Sequence, residues 1–226
     1  MKAPARRISG HARKHILLLD DHPMTRHGLA QLIGREPDLV VCGEADSAQA
    51  ALSAIGSSRP DLVLADITLP GKSGLEFIKD MRVLHPQVAV LVISMHEETL
   101  YAERVLRAGG RGYIMKSEGG LKVLEAIRRV LRGEVYLSPA MSTTILGALG
   151  HPRSKTAGGV LASLTDREFE VFQLIGEGLS TNEVSRRLHV SIKTVGTHRV
   201  HIKEKLHLKN GTELVRQAVR WAAPQI

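Results

Sequence analysis

The chain has 226 residues with 43% hydrophobic, 24% charged and only 3% aromatic residues, which suits one or two ordinary domains with cores of Leu, Val, Ile and Ala. Its single cysteine, Cys42, excludes an intrachain disulfide and fits a reducing compartment. No apolar run has the length of a membrane span or a signal peptide, so a cytoplasmic protein without membrane contact is expected. The net charge is +8, and its position is informative. Residues 180–209 hold seven Lys/Arg against two acids, with four histidines among them, a concentration that phosphate backbones select.

In chain order, residues 1–13 read as a disordered basic tail. Up to about Arg132, short apolar runs at Ile16–Leu19, Leu39–Cys42, Leu62–Ala65, Val88–Ile93 and Gly112–Met115 alternate with helix-period stretches such as "MTRHGLAQLIGRE" and "GLEFIKDMRVLH". After the last run, Leu121, Leu124, Ile127 and Leu131 recur at helical spacing, and Gly133 is a stop signal. Five β-then-α units predict a parallel sheet with helices on both faces and right-handed connections. Cys42 sits inside the apolar run "LVVCGEA" as core filler.

Ligands of such a sheet bind at the carboxyl edge of the strands. The residues there are Asp20 and Asp21, Asp66, Ser94 and Lys116. One strand-end acid is an ordinary cap, but three carboxylates converging on one rim repel unless a cation joins them. Oxygen ligands suit Mg²⁺, whose charge together with the lysine balances the three acids. An aspartate is an established nucleophile for phosphoryl transfer, which depends on positioning and charge neutralisation. The chain has no Gly-rich nucleotide cradle, so the donor must bring its own activated phosphoryl group.

"ILLLDDHP", "DLVLADITLPGKSGLEFI", "VLVISMH" and "GGRGYIMKS" together resemble the receiver domain of bacterial two-component response regulators, over roughly residues 14–134. The resemblance implies a doubly wound, flavodoxin-like α/β fold with Asp66 as phospho-acceptor, fed by a cognate sensor histidine kinase. It implies that Asp21 binds Mg²⁺ directly and Asp20 through water, with Asp66 and the backbone carbonyl of Thr68 as further ligands. Ser94 is then the switch hydroxyl, Lys116 the cation that contacts the phosphoryl group, and Tyr113 the aromatic that rotates inward once Ser94 moves. Thr68 stands where the family often has an apolar residue, and Ser117 where many members have proline.

Residues 135–162 read as a Ser-, Gly- and Pro-rich linker, with "MSTTILGAL" inside it a candidate short helix. From Ser163 the pattern is helical, near 166–177, 181–188, 192–206 and 211–222. Thr165 with Glu168 and Ser180 with Glu183 read as capping boxes, and Asn210 with Glu213 as a weaker relative. The second and third helices are joined by only "HVS", a helix-turn-helix corner. On the third, Ile192, Val195, Ile202 and Leu206 share one side and should pack inward. Lys193, Thr197, Val200, His201 and Glu204 lie opposite.

Residues 161–222 resemble the LuxR-type helix-turn-helix, which makes the chain similar from end to end to NarL/FixJ-type response regulators. The resemblance implies binding of double-stranded promoter DNA, with base-edge contacts from Gly196, Thr197 and Val200. Lys193, Thr194, His198, Arg199 and Lys203 are assigned to phosphates, where they position without specifying. Thr212–Trp221 would form the last helix, and the family implies that it pairs in a DNA-bound or phosphorylated homodimer. Its Leu214, Val215, Ala218 and Val219 equally suit the domain's own core. The expected function is a phosphorylation-switched transcription regulator, not an enzyme. The alternative is a phosphorylation-independent regulator with a vestigial receiver. A phosphatase-like reading is disfavoured, because Asp66-Ile67-Thr68 lacks a second Asp to serve as acid–base.

Overall fold

The computed structural model describes residues 13–150 and 160–222. The basic tail expected over residues 1–13 therefore lies, apart from Arg13, outside the described residues. Strands β1 (Lys14–Leu19), β2 (Leu39–Ala45), β3 (Leu62–Ala65), β4 (Ala89–Ser94) and β5 (Gly112–Met115) form one parallel sheet in the order β2-β1-β3-β4-β5. Helices α1 (Pro23–Gly34), α2 (Ala48–Ser58), α3 (Gly74–Leu84), α4 (Glu98–Ala108) and α5 (Gly120–Leu131) alternate with the strands. This is the doubly wound receiver fold read from the sequence.

β1 from Ile16 onward and the whole of β3 are apolar runs because both of their faces are covered. Ile16, Leu18, Leu62 and Leu64 pack against α1 and α5, while Leu17, Leu19, Val63 and Ala65 point to the side of α2, α3 and α4. The order of strands reverses between β1 and β3, so the chain leaves these two neighbours in opposite directions and opens a crevice at their carboxyl ends.

Inside the segment expected as linker, α6 (Pro139–Gly150) packs on α4, and Ser138 N donates to the buried Glu98 carboxylate at 2.8 Å. Four more helices follow: α7 (Asp166–Gly176), α8 (Thr181–Arg187), α9 (Ile192–Lys205) and α10 (Gly211–Ala222). Thr165/Glu168 and Ser180/Glu183 make reciprocal capping boxes, and Asn210 Oδ1 accepts from Glu213 N at 2.9 Å. A box at Ser73/Glu76, which starts α3, went unread in the sequence.

Two of the apolar positions that recur at helical spacing are on the surface. Leu121 is 86% exposed. The buried stripe of α5 runs through Val123, Leu124, Ala126, Ile127 and Val130, and at 100° per residue Leu121 lies roughly 140° from its centre. Ile192 is 56% exposed, whereas Val195, Ile202 and Leu206 are buried as expected. It occupies the first turn of α9 at the edge of that stripe. In α10, Leu214 and Ala218 belong to the domain's own core, while Val215 and Val219 are about half exposed.

Candidate functional site

The acids at the strand ends meet in the crevice between β1 and β3. Lys116, one residue past β5, places Nζ 2.6 Å from Asp20 Oδ2 and 2.7 Å from Asp66 Oδ2. Asp20 and Asp66 are almost fully buried. The other oxygen of Asp66 accepts from the backbone N–H groups of Ile67 at 2.6 Å and Thr68 at 3.3 Å. Burial raises the Asp66 pKa, and Lys116 opposes that rise. Burial also works against the charge on Lys116, but Asp66 and Asp20 hold its pKa above the ordinary value. The carboxylate is thus basic, desolvated and kept ionised by a fixed cation.

Asp20, Asp21, His22 and Asp66 can bring one ligand atom each within 4.8 Å of one another. Asp21 Oδ1 lies 2.7 Å from His22 Nδ1 but is buried without an aligned hydrogen bond. Three carboxylates with an unsatisfied buried oxygen fit a hard divalent cation such as Mg²⁺. His22 was not among the expected site residues; its nitrogen is drawn into the cluster by Asp20, which also accepts from His22 N at 2.8 Å.

Ser94, fully buried at the end of β4, accepts from His96 N at 3.2 Å. The Tyr113 ring is already inside, 1% exposed, and its hydroxyl donates to the His96 carbonyl at 2.8 Å. The expected inward rotation has no distance left to cover from this conformation. Burial keeps this phenol protonated by pushing its pKa well above the ordinary range. The bond between Lys116 and Ser117 is trans.

The helical domain seats on the same rim. Arg104 of α4 donates to the Leu161 carbonyl at 2.6 Å, the Leu164 carbonyl at 3.2 Å and Asp166 Oδ1 at 3.1 Å, with its guanidinium 4.2 Å above the Phe169 ring. Lys79 donates to the other oxygen of Asp166 at 2.5 Å. Tyr101 meets Phe169 edge-on at 5.2 Å, and Phe169 meets Trp221 in the same way at 5.3 Å. A cleft of about 410 Å³ remains between Asp21 and Thr68 on one side and Glu183, Arg186 and Arg187 on the other.

The sequence of residues 16–128 matches the family model described as response regulator receiver domain, and residues 162–218 match bacterial regulatory proteins, luxR family. The transcriptional activator protein ExaE of Pseudomonas putida is 38% identical over 204 residues, covering 90% of this chain and 95% of ExaE. The chain is a DNA-binding two-component response regulator of the NarL/FixJ type. The nitrate/nitrite response regulator protein NarL of Escherichia coli K12 is 36% identical over 88% of this chain and 91% of its own. RcsB from Salmonella enterica serovar Typhimurium, solved bound to promoter rprA in the presence of phosphomimetic BeF3−, shares the fold with a TM-score of 0.63. Its identity is 21%, over 92% of this chain and 98% of RcsB.

In the response regulator, the face of α9 assigned to DNA is largely free. Lys193, Thr197 and Val200 are exposed, and Thr194, Gly196, His198, Arg199 and Lys203 are partly buried. A Cβ added at Gly196 would meet nothing within 4 Å, so the backbone there is open to a close neighbour. Thr197 Oγ1 donates to the Lys193 carbonyl at 3.1 Å, and Thr194 Oγ1 shares a 2.8 Å bond with Ser191. His198 is the member of the set turned inward, its Nδ1 buried without a hydrogen bond. Burial lowers its pKa, with the Arg167 charge adding to the effect.

Sequence reading missed the residues that join the two domains: His96, Arg104, Glu170 and Gln173. His96 stood in the quoted "VLVISMH" motif two residues after Ser94, and its partners lie 28 and 77 residues away. Among the described residues, no helix is long and apolar enough to cross a membrane.

Proposed function

We propose that Asp66 accepts a phosphoryl group from a sensor histidine kinase, and that this modification governs DNA binding by α9. The observation that carries the reading is the Lys116 ammonium bound by both Asp20 and Asp66 at the crevice between β1 and β3. Asp66 attacks phosphorus with a carboxylate oxygen. A P–O bond forms as the P–N bond to the kinase imidazole breaks, and the leaving imidazole keeps the electron pair. The Ile67 and Thr68 N–H groups orient the carboxylate, Lys116 stays as a counter-charge for the phosphoryl oxygens, and Ser94 supplies a hydroxyl donor. Asp20, Asp21, Asp66 and the Thr68 carbonyl would hold Mg²⁺, which neutralises charge on those oxygens.

The chain divides, in this reading, into a receiver over 14–134, a linker over 135–162 and a DNA-binding domain over 163–226, working in the cytoplasm. Lys193, Thr194, His198, Arg199 and Lys203 take phosphates, and Gly196, Thr197 and Val200 face base edges, where the Thr and Val methyls suit thymine. The half-exposed Val215 and Val219 of α10 supply an apolar strip for a homodimer. Acetyl phosphate with Mg²⁺ should label the wild-type chain once and Asp66→Asn not at all, read by intact-mass spectrometry. Undiminished labelling of Asp66→Asn would remove the site assignment.

A further inference from the structure

Arg167 of α7 donates to the Gly71 carbonyl at 3.1 Å, and a second link, through His96, runs from Thr68 to α7 with its bonds in a fixed order. Gln173 Nε2 lies 2.8 Å from His96 Nδ1 and 3.2 Å from Glu177 Oε1. A carboxylate only accepts, so the Gln173 amide must present its NH₂ group to Glu177. The same NH₂ then donates to His96 Nδ1, which makes Nδ1 an acceptor and leaves the ring proton on Nε2. That proton points to Thr68 Oγ1 at 3.0 Å. Burial lowers the His96 pKa, in keeping with this neutral tautomer.

The backbone of the same residue is held from the other side. His96 N donates to the Ser94 hydroxyl, and its carbonyl accepts from Tyr113. The ring also packs on Tyr101 at 5.2 Å, the receiver aromatic that touches Phe169 of α7. Thr68, Ser94 and Tyr113 are therefore each one bond from His96, and His96 is one bond from the DNA-binding domain.

We propose that His96 is the positioning residue through which the phospho-acceptor loop holds the DNA-binding domain against the receiver. The proposal rests on the reading of Asp66 as the acceptor. Phosphoryl oxygens compete for the Ser94 hydroxyl and for the Thr68 N–H, which now serves Asp66. As Ser94 turns to Asp66, His96 N loses its partner, and as Thr68 shifts, Nε2 loses its acceptor. The ring moves, and Gln173, whose Oε1 is already buried without a partner, gives up its acceptor at the interface. The inward Tyr113 follows through its bond to the same backbone carbonyl, with no ring rotation required. The coupling is reciprocal: release of α7 must also alter phosphorylation of Asp66.

The test uses the full chain and its single tryptophan. Trp221 packs on Phe169, the α7 ring that Tyr101 and Arg104 of the receiver cover, so undocking uncovers that ring pair and changes the Trp221 emission. In wild type, acetyl phosphate with Mg²⁺ should change that emission. His96→Ala and Gln173→Ala should each move it the same way before any donor is added, as the docked-to-released ratio falls on the order of two- to tenfold for one lost hydrogen bond. Since the two variants share the loss of one bond, the double variant should fall short of the sum of the single effects. Gln173→Ala should still be labelled on Asp66 while its emission response shrinks. Single variants that keep the wild-type emission and response, or whose effects add, would overturn the proposal. The Gln173 variant alters the other domain, so it decides the matter even if His96→Ala misfolds. Absence of Asp66 labelling in wild type would instead overturn the acceptor reading, while the donor-free emission shifts would still report on the His96–Gln173 bond.

Discussion

Gly74 opens α3 directly behind the acceptor. A Cβ there would sit 2.6 Å from Ile67 Cα and 2.7 Å from the Asp66 carbonyl, and Gly74 N donates to the Ile67 carbonyl at 2.9 Å. These are backbone atoms, so Gly74→Ala cannot be absorbed by a side-chain rotation. It should cost about 1–3 kcal/mol in stability and slow labelling of Asp66 by acetyl phosphate. A variant with wild-type unfolding midpoint and labelling rate would contradict the close approach. At this scale much was legible: acids ending apolar strands, and a lysine after another strand, are unusual enough to be read without coordinates. The inward Tyr113 was not, because a phenol at a strand end is compatible with either orientation until its hydroxyl finds an acceptor.

Helix α7 is buried on more of its circumference than an amphipathic stripe allows, from Glu168 through Ile175. Phe169, Phe172 and Leu174 fill the core, while Glu170 and Gln173 are covered as well. Glu170 bonds Arg167 at 2.7 Å, and its Oε1 is buried with no partner. Burial pushes its pKa up to about 7, against Arg167 and with Ser73 and Glu76 of α3 nearby. The folded chain then binds this proton more tightly than the unfolded chain does. Stability from this residue is full below the ordinary value of 4.5 and is lost as pH rises to about 7, on the order of 3 kcal/mol in all. In urea, the Trp221 emission midpoint of wild type should fall from pH 5 to pH 8 by more than that of Glu170→Gln. Equal falls would exclude Glu170 as the source. The helices and their caps were legible because they are local, set by Thr165, Ser180 and Asn210 within four residues. Leu121 and Ile192 misled because helical spacing marks a stripe but not its limits.

The two domains of the molecule are joined by contacts that no local pattern announces. Arg104 meets Asp166 across 62 residues and His96 meets Gln173 across 77, and each side chain taken alone reads as an ordinary surface charge or amide. The receiver and the helix-turn-helix were therefore visible in the sequence, whereas their docking emerges only when the fold brings α4 and α7 together. That docking leaves Lys193, Thr197 and Val200 exposed, so the switch governs how the domain is held and how freely α9 seats in a groove. The most direct test of this account is the affinity of the full chain for duplex DNA from its own promoter region, at fixed salt, with and without acetyl phosphate and Mg²⁺. The account predicts tighter binding after phosphorylation of wild type and no change for Asp66→Asn. Binding that is indifferent to phosphorylation in wild type, or that tightens equally in Asp66→Asn, would contradict it.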